Sequence, residues 1–285
     1  MIVHLCGVRG STPAPGHEFA GVGGHTSCLA LTPGDDPAAP PTLVLDAGTG
    51  IRRVTALLRG APFAGTILLT HLHWDHVHGL PFFAAGDHPG AVATLGLPVD
   101  DADADPAALL ARGMSPPHFP IGPEGLRGDW TFAGIEPGPV AAGVAGLTVA
   151  AFEVPHKGGR TYGYRVSDGT ATIAYAPDHG PSAIGPGADG LGELHPDALA
   201  LADGVDVLFH DAQHTAEELP SRAHFGHSAA DYAVNLAIAA NARSVVLLHH
   251  DPSRDDPAVH ALAAQFAAAK IPVCAGIEGD VLHLP

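Results

Sequence analysis

Positive charge is what this chain has least of. Its 285 residues hold 13 Lys and Arg against 30 Asp and Glu, a formal net charge of −17 with histidine neutral. Long nucleic acid is bound through clustered basic side chains that displace counterions from phosphates, and the few present here are scattered. The balance argues against a long polyanion as the main partner but leaves room for a small phosphorylated molecule. Long hydrophobic runs are also missing. None approaches the ~20 residues that cross a bilayer, so a membrane is not an expected partner. The opening Met-Ile-Val-His-Leu-Cys-Gly lacks a basic n-region and a long apolar h-region, and reads as a first strand instead of a secretion signal. Cysteine is sparse as well. Cys6, Cys28 and Cys274 lie in apolar, strand-like stretches and are expected to be buried free thiols. The absence of a Cys-x-x-Cys pair gives no support to a structural zinc of that kind, and the odd count predicts a reducing, cytoplasmic setting.

What the chain does have is a core-forming majority and an excess of histidine: 46% hydrophobic residues and 20 His. The length suits one large α/β domain or two small ones. Apolar runs bounded by Gly, Pro and Asp predict strands at 2–8, 27–31, 42–45, 66–70, 92–95, 147–154, 161–166, 170–175, 205–209, 244–248, 272–275 and 281–284. Helices are predicted at about 50–59, 79–85, 106–112, after Pro196, at 229–241 with Ser228 as N-cap, and at 257–268. Strands precede helices in both halves, a pattern that a two-sheet sandwich with helices outside accounts for. Residues 97–146 stand apart, being rich in Pro, Gly and Asp. They read as an insertion over the site within a single domain spanning 1–285, with the stiff Met114–Pro120 loop walling a pocket against polymers.

The densest chemistry follows the apolar run Thr66–Thr70. His71-Leu72-His73-Trp74-Asp75-His76 places three imidazoles and a carboxylate within six residues at a strand end. A tight loop there can aim several of them at one point, and neutral imidazole and carboxylate suit zinc, iron or manganese. Further candidates also sit at strand ends: His156 in Val-Pro-His-Lys-Gly-Gly, Asp178 in Tyr-Ala-Pro-Asp-His-Gly, and His249 before His250. Polar residues gathered at the ends of apolar strands are how an α/β scaffold builds a site. His250 competes with His249 for the last position.

The order His71-x-His73-x-Asp75-His76, then His156, Asp178 and His249, resembles the metallo-β-lactamase superfamily. That resemblance implies a four-layer αββα sandwich with a two-metal site at one sheet edge. A closer likeness is to the branch containing ribonuclease Z and the cyclic-phosphate phosphodiesterases. It is carried by Gly7-Val8-Arg9-Gly10-Ser11-Thr12-Pro13, by Gly23-Gly24-His25-Thr26-Ser27-Cys28 (His25 where the branch has Asn), and by Gly226-His227-Ser228.

By that resemblance His71, His73 and His156 would hold one metal, Asp75, His76 and His249 a second, and Asp178 would bridge them. Asp46 would orient a ligand imidazole. His227, with an ordinary pKa near 6.5, would bind phosphate or protonate the leaving oxygen. Asp75 would also accept a proton from the nucleophile. Arg9 is a weaker phosphate contact, and a structural ion pair is an equal reading of it. The implied cofactors are two divalent metal ions, zinc first, with manganese or iron as alternatives. The implied activity is hydrolysis of a small, cyclic phosphodiester by a metal-bridging hydroxide. The scaffold hosts many reactions, so a lactonase, thioesterase or sulfatase, or a non-catalytic metal- or ligand-binding protein, are the competing readings. Ribonuclease Z carries a long basic arm where this chain has the acidic 97–146 segment, so transfer RNA processing is not expected. The expected partner is a small phosphodiester, with a homodimer left open.

Overall fold

The computed structural model describes residues 1–100, 104–141 and 144–285. In chain order the strands are β1 (Ile2–Gly7), β2 (Cys28–Thr32), β3 (Leu43–Leu45), β4 (Ala64–Leu68), β5 (Val92–Pro98), β6 (Asp129–Ile135), β7 (Gly138–Pro139), β8 (Thr148–Glu153), β9 (Tyr162–Ser167), β10 (Thr172–Ala176), β11 (Val207–Asp211), β12 (Val245–Leu248), β13 (Val273–Ala275) and β14 (Val281–His283). The helices are α1 (Ile51–Leu57), α2 (Trp74–Val77), α3 (Pro106–Ala111), α4 (Pro196–Ala202), α5 (Leu219–Arg222), α6 (Ala230–Ala239) and α7 (Asp256–Ala264).

The strands form two seven-stranded mixed sheets, ordered β14-β1-β2-β3-β4-β5-β6 and β13-β12-β11-β10-β9-β8-β7. Alternation along the strands makes the layers, because successive side chains leave a strand on opposite faces. Leu29 and Leu31 of β2 and Ile173 and Tyr175 of β10 face one another in a core shared by both sheets. Their neighbours Cys28 and Ala30 turn outward to pack with Ile51 and Val54 of α1. Ala174 and Ala176 likewise pack outward, with α4 and α6. The result is the expected α/β sandwich, helix layers on the outer faces and two sheets between. No helix among the described residues is long and apolar enough to cross a membrane.

β3 to β6 run parallel, as do β10 to β13. In open α/β sheets the crevice beyond the carboxyl ends of parallel strands is where sites are built. β4, β10, β11 and β12 deliver the candidate residues there.

Three expectations need correction. Residues 129–135 are not part of an insertion: they form β6, paired in parallel with β5 over its whole length. β6 is an edge strand with little burial, so its hydrophobic pattern is weak. What rises over the site is the stretch from α3 to Phe119; residues 101–103 and 142–143 of the expected insertion lie outside the described residues. Second, 79–85 contributes only a short 3-10 turn, Leu80–Phe82. Third, Cys6 and Cys28 are buried free thiols but Cys274 is exposed, because its β13 lies at the sheet edge.

Candidate metal centre

β4 ends at Leu68, Leu69 still donates its N–H to Gly96, and the chain then turns through His71 into α2. His73 holds the N-cap position in an extended conformation. One helical turn then buries Asp75 and His76 while Trp74, between them and His73, points outward and is 70% exposed. The hexad is thus a helix start, which is why its members face different directions.

The seven predicted ligand residues come together. His71, His73, His156 and Asp178 each offer a ligand atom within 4.8 Å of the others, and so do Asp75, His76, Asp178 and His249. Asp178 belongs to both groups through different oxygens. Its Oδ2 lies 3.7 Å from His71 Nε2 and 3.4 Å from His156 Nε2. Its Oδ1 lies 3.0 Å from both His76 Nε2 and His249 Nε2. Asp75 Oδ2 lies 3.3 Å from His76 Nε2 and 3.1 Å from His249 Nε2. His250 faces the other way, donating from Nε2 to Gly276 O at 2.9 Å.

The imidazoles are held by their other nitrogens, as ligand histidines are. His156 donates from Nδ1 to Gly226 O at 2.6 Å. His76 donates from Nδ1 to Asp46 Oδ2 at 2.8 Å. Thr70 donates its hydroxyl to Asp46 at 3.0 Å, which leaves Oγ1 to accept from His71 Nδ1 at 3.0 Å. Tyr175 O–H adds a hydrogen bond to Asp46 at 2.9 Å. Asp46 therefore orients an imidazole of each group, one directly and one through Thr70. Asp46 and His249 both adopt left-handed backbone, φ 63° and 57°, a strain that non-glycine residues carry where surroundings demand it.

The electrostatics suit cations. Burial lowers the pKa of His71, His73 and His156, keeping them in the neutral, ligating form. At His76 burial acts in the same direction but is outweighed by Asp178, Asp75 and Asp46, which raise its pKa. Burial raises the pKa of Asp75, yet His76 and His249 overcome it and hold the carboxylate ionised. Nε2 of His71, Nε2 of His76 and Oδ1 of Asp178 are buried and make no hydrogen bond. Unpaired buried polar atoms are costly. Three nitrogens and oxygens of this kind around one space fit a divalent metal.

A third group, Asp211, His227 and His249, adjoins the second. His227 donates from Nδ1 to Asp211 Oδ2 at 3.0 Å. Burial lowers its pKa, but Asp211, then Asp178 and Asp75, outweigh burial and push it up to about 9. The surrounding carboxylates thus hold His227 above the ordinary imidazole value expected for it. Asp211 was not predicted. The reading of β11 stopped at Phe209, and its partner His227 lies sixteen residues further on, so only the strand-end position could have signalled it.

Ser228 is not a helix cap. Its hydroxyl donates to His179 O at 2.6 Å and its N–H donates to Asp211 at 3.2 Å, while Ala229 is the N-cap residue of α6. Arg9 takes its structural reading. It is fully buried and donates to Gly23 O at 2.7 Å and Arg254 O at 2.6 Å, so it clamps the first loop and cannot reach a phosphate.

The family model described as Beta-lactamase superfamily domain matches residues 42–250. No curated protein sequence matches the chain. Among solved structures it is similar to the metallo-beta-lactamase fold protein YhfI from Bacillus subtilis, at 17% identity over 99% of both chains with a TM-score of 0.71. It is similar to the short form of human tRNase Z at 18% identity over 100% of both chains, TM-score 0.68. It also resembles a diphosphatase from the PhnP family at 17% identity, covering 100% of this chain and 98% of that one, TM-score 0.68. At such identities the likeness is one of fold.

Proposed function

The chain belongs to the beta-lactamase superfamily, and from that premise we propose that it is a dinuclear metal-dependent phosphodiesterase acting on a small phosphodiester. His71, His73 and His156 would hold one divalent metal, Asp75, His76 and His249 the other, with Asp178 between them. Bound there, such ions would supply Lewis-acid neutralisation of phosphoryl charge and a water of lowered pKa. Zinc is our first choice for a set of imidazoles and carboxylates, manganese or iron the next.

The observation that carries the choice of phosphorus is the Asp211–His227 pair beside this set. A histidine oriented by a buried carboxylate can present its other nitrogen to a phosphoryl oxygen and pass a proton to the leaving alkoxide. Asp211 fixes the ring through Nδ1, leaving Nε2 as the nitrogen available to substrate. Two of the similar structures are named a tRNase and a diphosphatase, which supports chemistry at phosphate. The net charge of −17 favours a small substrate over a polymer.

The test is turnover of bis-p-nitrophenyl phosphate and a panel of cyclic and linear phosphodiesters, read beside elemental analysis. Asp178→Ala is expected to abolish hydrolysis and lower the bound-metal count. His227→Ala is expected to keep the metals and to lose turnover by about two to four orders of magnitude, the range for an acid–base group. Full activity in metal-free protein, or unchanged turnover in His227→Ala, would refute the respective part.

A further inference from the structure

The cavity that opens from His71 and His73 encloses about 1030 Å³. That is the size of a site for a drug-sized ligand, far more than a lone cyclic sugar phosphate fills. Its lining divides into parts of different chemistry. Beyond the histidines stands an aromatic wall of Trp74, Phe82 and Phe119. Trp74 is 70% and Phe82 59% exposed. Trp74 is stacked on His78 at 5.2 Å with 20° between the planes, and Phe82 meets Phe119 edge to face at 5.8 Å. Aromatics are only 6% of this chain, so their concentration on one open wall beside the site is a specific feature. An exposed apolar patch bordering a pocket is where a ligand's own flat or apolar surface is buried.

The second part is cationic. Arg52, Arg112 and Arg160 line the same cavity, although the whole molecule has only 13 basic residues. Arg160 is already occupied: it donates to both Glu153 oxygens and to Val99 O, and Asp100 lies near it. Arg52 and Arg112 are exposed, and among the described residues neither pairs with a carboxylate. Their guanidinium forks are suited to phosphate.

We propose that the substrate is a nucleotide phosphodiester, with a base packed on the Trp74–Phe82–Phe119 wall and a second phosphate held by Arg52 and Arg112. A short dinucleotide satisfies both parts of the cavity; a cyclic mononucleotide satisfies only the aromatic one. This rests on the phosphodiesterase reading above for the scissile bond.

The metal-loaded full chain would be assayed on a linear adenine dinucleotide with a terminal phosphate, a cyclic adenine nucleotide and a base-free ribose cyclic phosphate. The expected order of kcat/KM is dinucleotide, cyclic nucleotide, base-free ester, with roughly tenfold per step, the scale of one stacked base. Trp74→Ala should erase the preference for a base and Trp74→Phe should retain most of it. Arg112→Gln should raise KM for the dinucleotide and remove its advantage over the cyclic nucleotide. Binding is read separately: in a Trp130→Phe background, fluorescence of Trp74 should be quenched by the dinucleotide and not by ribose phosphate. Equal rates with and without a base, together with no quenching, would overturn the proposal and leave the phosphodiesterase reading standing. Quenching without turnover of any phosphodiester would support the base site and sink the phosphodiesterase reading.

Discussion

Asp46 carries more of the site than any residue outside the ligand set. It is fully buried and accepts from His76, Thr70 and Tyr175. Through Thr70 it also sets the tautomer of His71. A carboxylate in this role fixes ring orientation and increases ligand basicity, and its loss typically costs 10–100-fold in metal affinity. Asp46→Asn keeps the shape but swaps an acceptor for a donor at one position, so it should weaken binding at both metal positions by roughly that factor. Thr70→Val should weaken the group containing His71 more than the group containing His76, which keeps its direct bond to Asp46. Chelator competition with a chromophoric ligand measures both; unchanged affinity in Asp46→Asn would show that the hydrogen bonds seen here do not tune the centre.

At the scale of elements, the first loop and the strand ends decide what could be read in advance. His71 to His76, His156, Asp178 and His249 were legible because each follows an apolar strand within a few residues. Asp211 was not, because its meaning depends on His227 across the fold. β6 was missed because an edge strand half open to solvent leaves no clean alternation, and its pairing with β5 is long-range. Ser228 looked like a cap because caps are a local pattern; here the tertiary partners His179 and Asp211 took both of its polar groups.

The first loop shows the opposite case, a local glycine with a distant reason. A Cβ on Gly10 would lie 2.3 Å from His249 Nδ1, while Gly10 N–H donates to His250 O at 3.0 Å and holds the loop in place. Gly10→Ala should therefore displace the His249 ring without removing any ligand. The expected result is a fall in metal content toward one per chain with an unchanged far-ultraviolet dichroism spectrum. Retention of two metals with normal activity would show that the loop yields instead of the ring.

Across the whole molecule the unusual number of histidines makes acid the natural threat to the fold. His179, His210 and His250 are fully buried, and burial lowers the pKa of each. For His250 burial is joined by the charges of Arg9 and Arg254, bringing it to about 3. The unfolded chain binds a proton at each such histidine once the pH falls below ~6.5, while the folded chain does not. Stability contributed this way is complete above ~6.5 and is lost as the pH drops toward 3, at about 1.4 kcal/mol per pH unit for each group. Because metal ligands also protonate in this range, the measurement belongs on chelator-treated protein, by denaturant titration between pH 7 and about 4.5. His250→Asn removes one titrating group while leaving a side chain amide able to reach toward Gly276 O. It should lower stability at neutral pH and flatten the acid slope by about one proton. A variant with the wild-type slope would place the acid sensitivity in other groups and refute the assignment of His250 as buried and neutral.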